Sequence, residues 1–179
     1  MIALVLLTGC TGKREELDRA MELRADLLGC LECSFDVTIT ADYGDEVHMF
    51  AMNCQTGGRG DVRFTVTQPE SIAGITGEIS SGEGKLTFDD TALYFPLLAD
   101  EQVTPISGPW ILMKTLLGGY LTAANEEDDL LHLTIHDSYE EDALQMEIWL
   151  NSENRPVSAE ILYDGRRIVT MSVENFQFR

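Results

Sequence analysis

The chain has 179 residues, enough for one domain with a sizeable core. Its formal charge of −19, from 31 acidic and 12 basic residues, disfavours nucleic acid and anionic lipid headgroups, both of which are bound through clustered Lys and Arg. The acid is dispersed among 44% hydrophobic residues, a composition that folds rather than forming an acidic tail, and nothing beyond the N-terminus is apolar for long enough to span a membrane.

The chain opens on an apolar run, Ile2 to Leu7, closed by Thr8, Gly9 and Cys10. The run is too short for a bilayer and reads as the apolar region of a secretory signal. Leu7-Thr8-Gly9-Cys10 resembles the lipobox of bacterial lipoproteins. That resemblance implies a signal peptide over residues 1–9, lipidation of Cys10 as the first mature residue, a short tether over 10–12 and a single domain over 13–179. The domain would be extracytoplasmic, anchored to the bacterial cell membrane by acyl chains that each contribute ~0.8 kcal/mol per buried CH₂. No basic residue precedes Lys13, so the true start is expected upstream.

Lys13 to Leu31 has helical spacing, with Leu17, Met21, Leu28 and Leu31 on one face, Arg19, Glu22 and Asp26 on others, and Gly29 as a stop. From Cys33 the period becomes two: Cys33, Phe35, Val37 and Ile39 alternate with polar residues. After a turn at Asp42–Asp45, Glu46 to Cys54 returns with His48, Phe50 and Met52 on one face. A fold at Tyr43-Gly44 sets Phe35 opposite Met52, Val37 opposite Phe50 and Cys33 opposite Cys54. Opposed Cβ atoms ~4.5–5.5 Å apart can be bridged with slight adjustment, and an exported protein favours the bond. Cys33–Cys54 is therefore the expected disulfide, with Cys30 free; Cys30–Cys54 is the competing pair. Cys30-x-x-Cys33 has neither a second Cys pair for zinc nor a βαβ setting for redox chemistry. Arg59-Gly60-Asp61, in a Gly-rich loop, is too short a motif to carry information. Val62, Phe64 and Val66 form a third alternating strand stopped by Pro69. Gly74–Ser80, Lys85–Phe88 and Ala92–Phe95 are three more, separated by Ser81–Gly84 and Asp89-Asp90.

Asp100 to Asn125 breaks this rhythm. Ser107 is placed to cap a helix that starts at Gly108-Pro109, carries Trp110, Ile111, Leu112, Met113, Leu116 and Leu117, and stops at Gly118-Gly119. A helix apolar nearly all round buries two faces or covers something removable. Leu130–His136 and Ala143–Leu150 then form a hairpin in which Leu131 faces Ile148, Leu133 faces Met146 and Ile135 faces Leu144. Its other face carries His132, Thr134, His136, Gln145, Glu147 and Trp149. Val157–Tyr163 and Arg167–Val173 turn at Asp164-Gly165 with a bulge that aligns Val157, Ala159 and Ile161 with Val169, Met171 and Val173. The chain ends in Asn175-Phe176-Gln177-Phe178. The fold class is α+β: about ten antiparallel strands in meander order, in a sheet that must curl into an incomplete barrel, with helices on its concave face.

In order and pattern the chain resembles the LolA/LolB-like superfamily of lipoprotein carriers. The pieces that carry this are FTVTQPESIAGITGEI, GKLTFDDTALYF, SGPWILMKTLLGG and RPVSAEILYDGRRIVTMSVENFQF. The resemblance implies a half-barrel cavity for acyl chains, lined or covered by Phe35, Val37, Phe50, Phe64, Phe88, Trp110, Leu112, Met113 and Leu117. A lipidated Cys10 departs from a soluble shuttle and implies a tethered acceptor, sensor or scaffold instead. Two functions follow: binding of a hydrophobic or acyl ligand in the cavity, or a non-enzymatic scaffold or regulatory role in the envelope, sporulation or germination that engages a protein partner.

No catalytic residue, metal site or cofactor is expected. His132 and His136 share a strand face but lie ~13 Å apart by strand rise, too far for one metal ion. His132 opposite Glu147 reads as a polar surface pair. Hydrolase and phosphate-loop motifs are missing. Asp89-Asp90 and Glu126–Asp129 lack the alternating ligands of a calcium loop and read as solvated acid.

Overall fold

In a computed structural model, residues 12–42, 44, 46–57, 60–88, 91–96, 98–99, 102–140 and 143–179 are described. The expected signal residues 1–9, the lipidation site Cys10, and Tyr43, Arg59 and Asp89-Asp90 lie outside them.

Eleven antiparallel strands form one open sheet, preceded by helix α1 (Gly12–Gly29). Six strands come first: β1 (Glu32–Asp42), β2 (Val47–Gly57), β3 (Val62–Gln68), β4 (Thr76–Ser80), β5 (Glu83–Phe88) and β6 (Thr91–Pro96). A two-stranded pair, β7 (Leu98–Ala99) and β8 (Gln102–Val103), leads into helix α2 (Gly108–Gly118). Five strands follow: β9 (Tyr120–Glu127), β10 (Leu130–His136), β11 (Gln145–Leu150), β12 (Pro156–Tyr163) and β13 (Arg166–Phe178). The fold class is the one expected, in a more particular order. The sheet runs β6-β5-β4-β3-β2-β1-β13-β12-β11-β10-β9, two meanders joined where the first strand pairs with the last. Phe176 stacks on Phe35 across that seam, centroids 5.4 Å apart.

Alternation decides the buried face. Cys33, Phe35, Val37, Ile39 and Ala41 of β1 are all buried, as are Leu131, Leu133 and Ile135 of β10. Both hairpin registers differ from expectation by two residues. Cys33 pairs with Thr56, Phe35 with Cys54, Val37 with Met52 and Ile39 with Phe50. Leu131 pairs with Leu150, Leu133 with Ile148 and Ile135 with Met146. The cause in the first hairpin is its connection: the last pair is Asp42 with Val47, so four residues join the strands instead of two. The Asp42 carboxylate accepts from the Gly44 N–H at 2.8 Å, with Gly44 at φ 92°. A shift of two preserves which face each side chain points to, so the core survives and only the partners change. The bulge foreseen in the last hairpin is present between Ile161 and Leu162, with Ala159 opposite Met171 and Ile161 opposite Val169.

The expected Cys33–Cys54 disulfide is a casualty of that register. Cys33 and Cys54 are diagonal neighbours on the buried face, and diagonal Cβ atoms stand about 7–8 Å apart, beyond disulfide reach. Cys33 Sγ instead lies 2.8 Å from Thr56 Oγ1, Cys30 Sγ bonds the Leu27 carbonyl, and all three thiols are free. Burial pushes the Cys33 thiol up to about 11 and raises Cys54 further.

Helix α1 also turns a different face inward. Ala20, Leu23 and Leu27 are buried, while the expected face is exposed: Leu17 at 45%, Met21 at 49%, Leu28 at 65% and Leu31 at 86%. Arg24 interrupts the expected stripe between Met21 and Leu28. Its guanidinium donates to the carbonyls of Leu116, Thr115 and Gly119 at 2.8, 3.5 and 2.9 Å. Arg24 thus caps the free Leu116 carbonyl, adds a second donor to the Thr115 carbonyl that already accepts from the Gly119 N–H at 2.8 Å, and ties α1 to the end of α2.

Candidate functional site

Helix α2 sits on the concave face of the sheet, where the resemblance implies a cavity. Pro109 near its first turn needs no donor there. Ser107 occupies the cap position but does not cap: its hydroxyl donates back to the Thr104 carbonyl at 2.5 Å. The first turn also needs a small residue against the sheet, since a Cβ on Gly108 would come within 3.0 Å of Met171 Sδ. Ile111, Leu112, Met113, Thr115 and Leu116 are then buried, while Lys114 reaches out and places its ammonium 5.3 Å from the Trp110 ring centroid.

The expected cavity residues divide into three groups. Phe35, Val37, Phe64, Leu112 and Met113 lie in one continuous core, each at most 3% exposed. Phe50, Trp110 and Leu117 are half-buried against it. Phe88 stands apart at 55% exposed. Eight of the nine thus lie in or against one packed core, and Phe88 does not. Leu112 is 0% exposed and Met113 1%, so α2 is embedded rather than laid over an empty pocket.

Toward β6 the concave face loses its helical cover. Leu86 pairs with Leu93 and Phe88 with Thr91 on the inward side, yet Leu93 is 62% exposed. Two glycines let aromatic rings lie flat on the sheet here: the Phe64 ring covers Gly77 and the Phe95 ring covers Gly84, each opposite in register, and a Cβ on either glycine would overlap the ring.

The outer face carries a polar network that sequence reading saw only in part. His132 stacks on Trp149, its direct cross-strand partner, with ring centroids 4.6 Å apart. Its Nε2 lies 2.6 Å from Glu147 Oε2 and its Nδ1 3.1 Å from Glu127 Oε2. Thr134 and Gln145 donate to Glu147, and Trp149 Nε1 donates to Glu127 at 3.2 Å. His136 is not drawn in; it pairs with Gln145 and Tyr120 at the far end of its strand. Glu147 is thus the diagonal and not the opposite neighbour of His132, and the carboxylates spend their acceptors within the sheet.

Solved structures are similar to the chain over most of its length, at low identity and with TM-scores below 0.5. A LolA superfamily protein from Nitrosomonas europaea is 10% identical, with 95% of this chain and 94% of that one covered and a TM-score of 0.46. An uncharacterized conserved protein from Thermus thermophilus is 13% identical over 93% of this chain and 86% of its own, at 0.49. A chain of the complex between the CwlD amidase of Clostridioides difficile and the GerS lipoprotein is 12% identical, fully covered on both sides, at 0.44. No family model matches the chain, and no curated protein matches it in sequence.

Proposed function

We propose that the chain is an extracytoplasmic lipoprotein, tethered through Cys10, whose LolA-like domain is a non-enzymatic scaffold that engages a protein partner by its surface. The observation that carries this is the embedded α2: Leu112 at 0% and Met113 at 1% exposed leave their side chains as core, not as the roof of a ligand chamber. Apolar groups remain at the surface instead, along α1 and at the β6 end. The resemblance of Leu7–Cys10 to a lipobox supports the anchor. No helix among the described residues is long and apolar enough to cross a membrane.

A second reading, an acyl chain held on the concave face, is favoured by one feature. Phe88 and Leu93, both inward-facing, are 55% and 62% exposed beyond the helices. Native mass spectrometry with lipid extraction, on the chain from Thr11 onward purified from its own envelope, separates the two. The scaffold gives the apo mass with three reduced thiols. A stoichiometric lipid adduct would overturn it in favour of the binder.

A further inference from the structure

An open sheet has two edges, here β6 and β9. Beside β9 runs a groove of about 310 Å³, lined by Leu17 of α1 and by Leu121, Thr122, Ala123, Ala124 and Asn125. Five consecutive residues of one strand and a helical side chain opposite them describe a channel along the strand's unpaired side. Its strand wall is low, because Ala123 and Ala124 are small and the Thr122 hydroxyl is turned back onto the Thr134 carbonyl at 3.1 Å. Its helical wall is the Leu17 side chain, 45% exposed. An unpaired strand beside an apolar wall is the geometry in which an extended peptide adds to a sheet, main chain to main chain, with alternate side chains in the groove.

Charge selects the occupant. Glu126 and Glu127 end β9, and Asp128 and Asp129 make the turn after it, all exposed. A second copy of the chain would bring another −19 to the same edge. The register shift opposite Thr134 and Ile135 and the acidic strand end both guard against indiscriminate edge pairing. We propose that a basic, alternately apolar segment of a partner protein docks on β9 as an added strand, its apolar side chains on Leu17 and its cations by Asp128 and Asp129, since Glu126 already pairs with Arg19 and Glu127 with His132 and Trp149. The proposal rests on the scaffold reading and names the surface that reading would use.

The probe is the blocked octapeptide Lys-Val-Thr-Val-Lys-Val-Thr-Lys, titrated into the ¹⁵N-labelled full chain while amide exchange is followed. Backbone pairing tolerates sequence, so this peptide is expected to slow exchange by about tenfold or more within Leu121–Glu127 and to shift the Leu17 methyls. A peptide N-methylated at alternate residues is expected to fail. The double variant Asp128→Asn, Asp129→Asn should weaken binding by about tenfold and flatten its salt dependence. Unprotected β9 amides at millimolar peptide, protection confined to another element, or equal binding of the N-methylated peptide would each overturn the docking mode. Uptake of cis-parinaric acid by the same sample tests the scaffold reading separately. Fluorescence enhancement would overturn that reading whatever β9 does, and its absence beside an unprotected β9 would remove only the docking mode.

Discussion

The two ends of this sheet obey the same alternation and end differently. In β1, inward Phe35, Val37 and Ile39 are at most 2% exposed; in β5 and β6, inward Phe88 and Leu93 are 55% and 62% exposed. Nothing in the local pattern separates them, since both are apolar residues at every second position. The helices make the difference. α2 enters against β1 and β13 at Gly108, and α1 is locked to the end of α2 by Arg24, so cover is concentrated over the middle and the β9 side of the sheet. Alternation assigns a face to each side chain; burial depends on what lies across from that face.

The sharpest way to break that contrast is to charge the covered end. Leu112→Asp with Met113→Lys places two ionised groups where no water reaches, at a cost of several kcal/mol each, comparable with the whole stability of a domain this size. The double variant is expected to lose its cooperative thermal transition. A melt within a few degrees of the parent would mean that α2 covers removable space and that the core reading is wrong.

Paired truncations measure the contrast directly. Phe35→Ala should cost ~3–5 kcal/mol by urea denaturation, from lost transfer energy and the cavity left behind. Phe88→Ala should cost less than ~1 kcal/mol, as for an exposed site. Equal losses would show that something covers the β6 end as well as α2 covers the centre.

The joint between the helices comes next. Arg24→Met keeps the aliphatic stem but abandons the Leu116 and Gly119 carbonyls at and just past the end of α2, while that of Thr115 keeps the Gly119 N–H. Bonds from a charged donor are worth about 1.5–3 kcal/mol each before the freed carbonyls find water. A net loss of ~2 kcal/mol is expected, with faster amide exchange in the last turn of α2. If exchange there is unchanged, Arg24 is packing and not a clamp.

Arg24 also marks the limit of what could be read from the amino-acid order. Ten of the sheet's strands were legible because β periodicity needs only hydrophobic alternation, and both errors of register shifted by two and kept each face. The edge strand β9, over Tyr120–Glu127, was missed inside the stretch read as breaking that rhythm. The partners of Cys33 were not legible, because they depend on four connecting residues rather than two at the tip of the hairpin. The inward face of α1 was hidden for another reason. Its apolar residues span a wide arc from Leu23 to Met21, and only the distant carbonyls of α2 choose which half turns inward. The cavity residues came from the family resemblance, and whether such a set is full or hollow is a matter of volume, which spacing does not encode.

The buried thiols give a smaller, pH-dependent effect. Cys33 is held protonated to about 11 against an ordinary value of 9.0, so between those limits the unfolded chain releases a proton that the folded chain keeps. The unfolded state then binds fewer protons, and stability falls as pH rises. The contribution is intact below pH 9 and is lost by pH 11, worth up to ~3 kcal/mol from this thiol. Denaturation midpoints of the parent and Cys33→Ala should converge over that window. Parallel curves would mean that Cys33 ionises as freely folded as unfolded, and hence that the β1–β2 interior admits water.

Thr115 reverses the sign. It is 0% exposed on the sheet side of α2, and its Oγ1 has no hydrogen-bond partner among the described residues. A buried hydroxyl left unpaired costs about 1–3 kcal/mol, and valine has the same shape without it. Thr115→Val is therefore expected to raise stability by ~1 kcal/mol. The comparison of ends makes this result diagnostic. In a packed centre the hydroxyl only costs, whereas above a solvated chamber it would hold a water, and its loss would be neutral or destabilising. A gain from Thr115→Val together with a small loss from Phe88→Ala would place the filled and open parts of the concave face where burial now puts them.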